Sequence, residues 1–474
     1  MAKAEVKYDV IIFGAGPAGI SAAYELARNG KKILVFDKDS QVGGISKTID
    51  YKGFLFDLGP HRFFTKSKEV NDLWQKTLGD DFLPVNRLTR IYYKNKFFFY
   101  PLKPMNALFG LGFFPSISIV GSYIWAKLFP YKEEKNFEQW TTNRFGKKLY
   151  KAFFKTYTEK LWGISCTQIE ASWVAQRIKG LSLTTAVKNA LFPDKSGKVK
   201  TLIDQFHFPK YGAGMMYEKM AENAKKGGTE IFLDSEVVKI NSEDNRIKSI
   251  VVKEKNGKEK EYFANYFLSS IPLPYLVKRI SPNASHEVIE AANNLKFRST
   301  VIVNLIYDSK NPFPDNWIYV HSAEAKTGRI GSPKNMSKFT SPNENKTPLS
   351  LEYWCTENDE VWETDDNNLV EMGISDLDKL ELAKKDDFVD GFVVRVPKTY
   401  PVHDGTYVQN MRIIRNHLDK IKNLQPIGRY GMFKYNNMDH SILTGLYAAE
   451  NILGRGKHDI WEVNAEDKYH EVKE

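Results

Sequence analysis

The sequence predicts a mixed α/β (α+β) protein, a nucleotide-binding domain interleaved with a helical insertion and an antiparallel-sheet domain. Three observations predict it. A strand, a glycine-rich turn, a helix and a second strand ending in an acid fill the first forty residues. Aromatic and β-branched strand segments recur from Arg90 to Trp354. Strand and helix patterns of the first kind return at 206–272 and again at 405–460, so the nucleotide domain is discontinuous.

The opening unit is Tyr8 to Phe13, then Gly14-Ala15-Gly16-Pro17-Ala18-Gly19, then a helix and Ile33 to Asp37. Val10 to Phe13 is unbroken apolar sequence, as a parallel strand buried on both faces requires. Gly14 allows the tight turn, Gly16 lets backbone N–H groups approach a pyrophosphate, and Gly19 lets the helix pack close. Pro17 and Ala18 begin the helix, whose free N–H groups favour an anion. Asp37, followed by Lys38, stands where a carboxylate can accept from a ribose hydroxyl. This is a Rossmann-type dinucleotide site.

Composition bounds the remaining choices. The length of 474 residues suits about two to four domains. The two cysteines, Cys166 and Cys355, match no metal spacing and suit a reducing, cytoplasmic setting. Met1 to Lys7 is short and charged, with no room for a signal peptide before the first strand. A net charge of +10 suits an anionic ligand or an anionic membrane surface. No basic helix or arginine-rich tract points to nucleic acid.

Further along, Val42-Gly43-Gly44-Ile45 resembles the second diphosphate contact of FAD proteins in the glutathione-reductase-like superfamily, with Ile45 where an arginine is usual. No second complete GxGxxG follows a strand, which argues against a separate NAD(P)H site. Residues 107 to 126 carry no charge, but Gly110, Gly112 and Pro115 interrupt them. Two short helices, buried or touching a membrane, fit better than a span. Residues 137 to 192 read as helices, and Phe206 to Met216 as a loop returning to the nucleotide domain. Glu230 to Leu233 is a strand, after which backbone near Val237 faces an adenine. Ile250 to Lys255 and Glu259 to Phe263 form a hairpin around Asn256-Gly257. Val301 to Tyr307, Trp317 to Val320 and Leu349 to Trp354 supply a sheet of about six strands. The domains expected are 1–100, 206–272 and 405–460 for the FAD-binding domain, 101–205 for the helical insertion and 273–404 for the antiparallel substrate sheet, with a polar tail over 461–474.

The segment Gly59-Pro60-His61-Arg62-Phe63-Phe64-Thr65 resembles the histidine loop of the UDP-galactopyranose mutase family. So do Tyr157-Thr158-Glu159-Lys160-Leu161-Trp162, Leu295 to Ser299, Gly428-Arg429 and Tyr435-Asn436-Asn437-Met438-Asp439. The resemblance implies FAD working in its reduced state as a nucleophile on a UDP-sugar, with the diphosphate leaving and the sugar ring reclosing at another size. It implies His61 near the flavin, and Arg298 and Arg177 as cations for the diphosphate. It also implies Trp162, Tyr435 and Asn437 near the sugar, and Gly43, Gly44, Gly428, Arg429, Met438 and Asp439 around the cofactor. Arg177 reads equally as a solvated helix charge, and Trp162 equally as core packing. Phe64, Asn437 and Phe433 stand where the family has a histidine, a carboxylate and an aromatic hydroxyl. These departures imply that the pocket holds a different sugar or holds it differently. The other readings are an FAD oxidoreductase of the protoporphyrinogen oxidase, amine oxidase or desaturase type, and a flavin-free binder of lipidated proteins. The intact glycine fingerprint argues against the last.

Overall fold

The computed structural model describes residues 8–100, 102, 104–171 and 205–464. The first strand, Tyr8–Phe13, lies third in a five-stranded parallel sheet with Leu424–Pro426 and Ala264–Ser269 on one side and Ile33–Phe36 and Glu230–Phe232 on the other. Val10, Ile11, Ile12 and Phe13 are all fully buried, as their continuous apolar run requires. The strand order reverses beside this first strand, at the topological switch point where doubly wound sheets bind ligands.

The helix Pro17–Ala27 packs between this sheet and the C-terminal helix Met438–Leu453. A side chain at Gly445 would place its Cβ 2.2 Å from the Ala18 carbonyl oxygen, so only glycine permits this approach. A four-stranded layer, Glu259–Tyr262, Arg246–Lys253, Glu236–Glu243 and Ile280–Ser281, carries the expected hairpin with Gly257 in its turn.

The second large sheet has seven strands, in the order Phe388–Pro401, Phe297–Tyr307, Thr347–Cys355, Arg329–Gly331, Trp317–Val320, Thr89–Tyr93 and Lys96–Phe99. Its pairs are antiparallel except for Trp317–Val320 against Thr89–Tyr93. Residues 89–99 therefore belong with this sheet and not with the nucleotide domain expected over 1–100. The hairpin turning at Asn95 needs a paired edge, and Trp317–Val320 provides it. Conversely, the helices Leu273–Arg279 and His286–Asn293, expected to open the substrate sheet, bury Leu276, Val277 and Ala291 in the nucleotide-domain core. The stretch expected as a loop over Phe206 to Met216 is a strand, Gln205–Pro209, followed by a helix starting at Gly214. Phe206 and Phe208 are buried while the strand pairs with Phe82–Asn86, an alternation that Pro209 masks in the sequence.

Against the seven-stranded sheet pack the helices Phe137–Phe145 and Thr156–Trp162, joined through Lys147–Tyr150 and a π-helical turn. The uncharged stretch forms two helices, Pro104–Leu111 and Phe113–Leu128, broken at Gly112 with φ of 91°. Among the described residues no helix is long and apolar enough to cross a membrane. Both cysteines are free and buried. Arg177, the helical pattern expected as far as 192 and most of the tail expected from 461 lie outside the described residues.

Asp57 fastens the return from the substrate side to the nucleotide domain. Its carboxyl accepts from Thr48 Oγ1 at 2.5 Å and from the Ala213 N–H at 3.1 Å, while Thr48 Oγ1 accepts from the Gly214 N–H at 2.9 Å. Burial pushes this carboxyl up to about 7, against the lowering effect of its donors. The folded state thus holds a proton that an unfolded Asp releases near about 3.9. Its stabilising contribution is complete below that pH and is lost as pH rises through about 7. Thermal unfolding followed by circular dichroism should show a decline in stability over this window that is absent in Asp57→Asn; equal slopes for the two proteins would refute it.

Candidate functional site

The site begins where the first strand ends. Gly14 turns with φ of 101°, and its N–H donates to the Phe36 carbonyl at 2.7 Å. Gly16 caps the helix Pro17–Ala27 without a side-chain acceptor, and the first turn has no acid, so its N–H groups have no anionic partner from this turn. Gly44 faces Gly16 closely: a Cβ on Gly44 would lie 3.2 Å from the Gly16 Cα. The Gly43 N–H donates to the Ala15 carbonyl at 2.8 Å and fixes the two turns together. Gly16, Pro17, Ala18, Gly44, Ile45 and Ser46 form one wall of a cavity of about 280 Å³.

Asp37 stands at the end of the second strand. Its Oδ2 accepts from the Ala15 N–H at 2.6 Å and its Oδ1 from the Asp39 N–H at 2.8 Å. Burial raises its pKa, and these two bonds partly offset the rise. The Ser235 N–H donates to the Asp37 carbonyl, which brings the strand Glu236–Glu243, with Val237 buried near its start, beside this acid. Lys38 is exposed.

A second helix N-terminus meets the first. Asn437 caps Met438–Leu453, with His440 Nδ1 accepting from the Asn437 N–H at 3.2 Å. Asn437, Met438, Asp439 and Ser441 line the same cavity, as do Gly428 and Arg429. The Gly428 N–H donates to Thr444 Oγ1 at 2.9 Å, locking this turn to the helix.

The remaining walls come from the histidine loop, Pro60 to Phe64, and from Trp317, Tyr319 and Arg329 of the seven-stranded sheet. His61 is half-buried, and its Nδ1, sealed from solvent, has no hydrogen-bond partner among the described residues. Desolvation, with Arg329 and Arg429 adding to it, pushes its pKa down to about 3. The imidazole is therefore neutral at physiological pH. Arg329 Nε donates to Glu352 Oε1 at 2.6 Å and its Nη2 to Glu352 Oε2 at 2.5 Å, a bidentate pair. Arg429 donates to the Thr399 carbonyl at 2.8 and 3.0 Å and to the Asn436 carbonyl at 3.1 Å. Its guanidinium lies 4.2 Å from the Tyr435 ring centroid, and Tyr435 stacks on Tyr400.

Other expected residues sit outside the cavity. Trp162 is buried behind it, 6.3 Å from Tyr435 and 6.2 Å from Tyr400. Arg298 is also buried. Its Nε donates to the Leu161 carbonyl at 3.2 Å, and its Nη2 donates to those of Trp354 at 2.8 Å and Lys160 at 3.3 Å. Those donors satisfy carbonyls at the C-terminus of the helix Thr156–Trp162, a capping arrangement. Phe433 packs in the core against Phe297 at 4.7 Å, away from the cavity, so only Phe64 and Asn437 of the three departures face it.

Sequence reasoning missed Trp317, Tyr319, Arg329 and Arg87. Arg87 has all three guanidinium nitrogens sealed from solvent without a hydrogen-bond partner among the described residues. It lies 5.5 Å from the Tyr100 ring and 6.0 Å from Trp317, whose ring also has the Arg62 guanidinium at 5.9 Å. A cation between apolar strand segments was the available signal, and it was read only at Arg298.

The chain matches the family model of flavin containing amine oxidoreductases over residues 17–453. Among curated proteins it is 29% identical over 184 residues to the probable UDP-galactopyranose mutase of Klebsiella pneumoniae, covering 35% of this chain and 43% of that protein. The matches span between 8% and 43% of the length of the first four curated relatives. Among solved structures, reduced UDP-galactopyranose mutase superposes with a TM-score of 0.82 at 20% identity, covering 98% of this chain and 100% of that one. Putrescine oxidase bound to putrescine gives 0.61 at 15% identity, covering 94% and 99%. The cofactor is FAD. The residues present fit it: an acid-free helix N-terminus, a slot between Gly16 and Gly44 that side chains would narrow, and a half-buried carboxylate at the end of the second strand.

A Cβ on Gly16 meets only the Gly44 Cα within 4 Å, at 3.8 Å, so the protein itself tolerates a methyl there. A diphosphate pressed against that Cα does not. Gly16→Ala should keep the unfolding midpoint of the cofactor-free protein and weaken FAD binding about tenfold or more, about 1.4 kcal/mol, by fluorescence titration. An unchanged affinity would place the diphosphate elsewhere.

Proposed function

We propose that this chain, which belongs to the flavin-containing amine oxidoreductase family, is an FAD-dependent mutase that isomerises the sugar ring of a nucleotide-sugar for polysaccharide biosynthesis. The observation that carries this reading is Arg87. A guanidinium sealed from water without an acceptor is costly, and a bound anion beside Trp317 relieves that cost. Arg62, Arg329 and Arg429 line the cavity and Arg87 lies beside its wall residue Trp317, a cationic setting that suits a diphosphate better than an apolar or amine substrate. The histidine-loop resemblance and the 0.82 superposition support the same reading.

Reduced FAD supplies the nucleophile toward the anomeric carbon. In this reading the chain's own groups bind, orient and exclude water. Arg87 and Arg62 hold the diphosphate from the Trp317 side and stabilise the charge that develops as it departs. Arg177 and Arg298 are the further cations that the family resemblance implies. Arg298 also ties the helix Thr156–Trp162 to the sheet and so keeps the aromatic wall in register. Neutral His61 offers its ring nitrogens beside the cofactor as hydrogen-bonding groups without adding charge. Asn437 and Tyr435 contact the sugar. Asn437 offers an amide where the mutases have a carboxylate, so the preferred sugar differs from galactose in its hydroxyl pattern or ring contacts.

Anaerobic incubation of the FAD-loaded protein with UDP- and other nucleotide-sugars, flavin oxidised or dithionite-reduced, tests the proposal by chromatography of the products. Conversion only with reduced flavin and without net redox change is expected. No conversion of any sugar, with flavin bleaching by an amine or an apolar reductant and recovery in air, would establish an oxidase instead.

Two variants sharpen the test. Arg87→Gln should raise KM for the nucleotide-sugar about tenfold or more, in line with the 1.5–3 kcal/mol of a hydrogen bond to a charged group, while leaving the flavin spectrum intact. With its pKa near 3, His61 should contribute no limb to the pH profile of kcat/KM between pH 5 and 9. A limb near 6.5 that disappears in His61→Gln would contradict its neutral state.

A further inference from the structure

The helix Phe113–Leu128 presents its apolar face outward. Phe113, Ile117, Val120, Ile124 and Leu128 form a stripe at helical spacing, and Phe114, Trp125 and Phe129 widen it. Phe114 is 81% exposed, Phe113 74% and Trp125 66%. The other face is fixed to the protein. Ile119 and Ala126 are buried, and the backbone at Gly146 packs against Tyr123, where a side chain would meet the Tyr123 Cα at 2.8 Å. The exposed face is thus a rigid surface and not a frayed segment. Of the sixteen exposed large apolar side chains among the described residues, nine fall between Phe113 and Tyr131, so the exposure is concentrated in one patch.

A basic rim surrounds it. Lys127 leaves the last turn and lies over the Tyr123 ring. Lys96 donates to the Gly110 carbonyl at 2.8 Å, and Lys148 bonds Ser118 on the helix itself. Lys132 follows the helix, Lys147 opens the short helix Lys147–Tyr150 packed on it, and Lys151 comes directly after that helix. None of these six has a carboxylate partner among the described residues. The acids in the vicinity, Glu133 and Glu134, are paired with Lys135 and Arg144.

We propose that this helix docks the protein, lying in the plane of the interface, onto an anionic lipid bilayer. A helix of sixteen residues spans roughly 24 Å at 1.5 Å per residue, short of the roughly 30 Å hydrocarbon core, and suits an in-plane position with its apolar face below the headgroups. Aromatic side chains at the patch and lysines at its edge match the two layers of such an interface. A second copy of the chain is a poorer occupant, because a two-fold contact would bring the same uncompensated lysines together. This inference does not depend on the sugar reading.

The test is flotation of the FAD-loaded full chain with phosphatidylcholine vesicles, with and without phosphatidylglycerol. Binding to the anionic vesicles at low salt, at least tenfold weaker on phosphatidylcholine alone, is expected. Lys127→Gln with Lys132→Gln should weaken it roughly fivefold per charge. Phe114→Glu with Trp125→Glu should abolish it while the flavin spectrum and unfolding midpoint stay unchanged, since both side chains face away from the fold. No binding to anionic vesicles, equal binding to both vesicle types, or binding that survives the double apolar variant would overturn the proposal. So would a concentration-dependent dimer that the same double variant dissolves.

Discussion

The closest backbone approach in the nucleotide domain governs everything placed around it. A Cβ at Gly19 would lie 1.9 Å from the Gly14 carbonyl oxygen, and one at Gly445 would lie 2.2 Å from that of Ala18. The helix Pro17–Ala27 is therefore held against the first strand on one side and the C-terminal helix on the other with no side chain between. That contact aligns two helix N-termini, at Gly16 and Asn437, on one cavity. It also carries Gly428 and Arg429 in from a point more than four hundred residues away in sequence.

The other end of the cavity follows a different logic. There the chain gathers cations beside aromatic rings, Arg429 over Tyr435 and both Arg62 and Arg87 near Trp317. Arg329 is compensated by the Glu352 carboxylate, and breaking such a buried pair costs about 3–5 kcal/mol because it strands a charge. Arg87 has no such counterpart among the described residues. A site with one cation paired and another left without an acceptor is arranged for an anion that arrives from outside. His61 is held neutral first by desolvation, and Arg329 and Arg429 push in the same direction, so the cations that attract an anion also reinforce the suppression of imidazolium.

The interleaving of the domains has a physical cause as well. The hairpin Thr89–Tyr93 and Lys96–Phe99 finds its free edge covered by Trp317–Val320, more than two hundred residues on. The Thr48 and Asp57 side chains bond the turn at Ala213 and Gly214, across more than one hundred and fifty residues. Each link ties a segment from one part of the chain into a layer built mostly by another, and the cavity lies where these layers meet.

The sequence by itself determined the nucleotide cradle, because its requirements are local: glycines for backbone approach, an apolar run for a doubly buried strand, an acid at the second strand's end. It also determined the two short apolar helices, since Gly112 stands between them. The tertiary structure alone decided the partner of the 89–99 hairpin, the strand hidden at Gln205–Pro209, and which arginines face the cavity. Arg298 and Arg329 both sit in strand segments of similar local character. Arg298 donates to the carbonyls at a helix end, and Arg329, at the cavity wall, donates to a carboxylate. The difference lies in which distant segment packs above each, and a strand's own residues carry no record of the neighbours brought to it by a sheet assembled from distant parts of the chain.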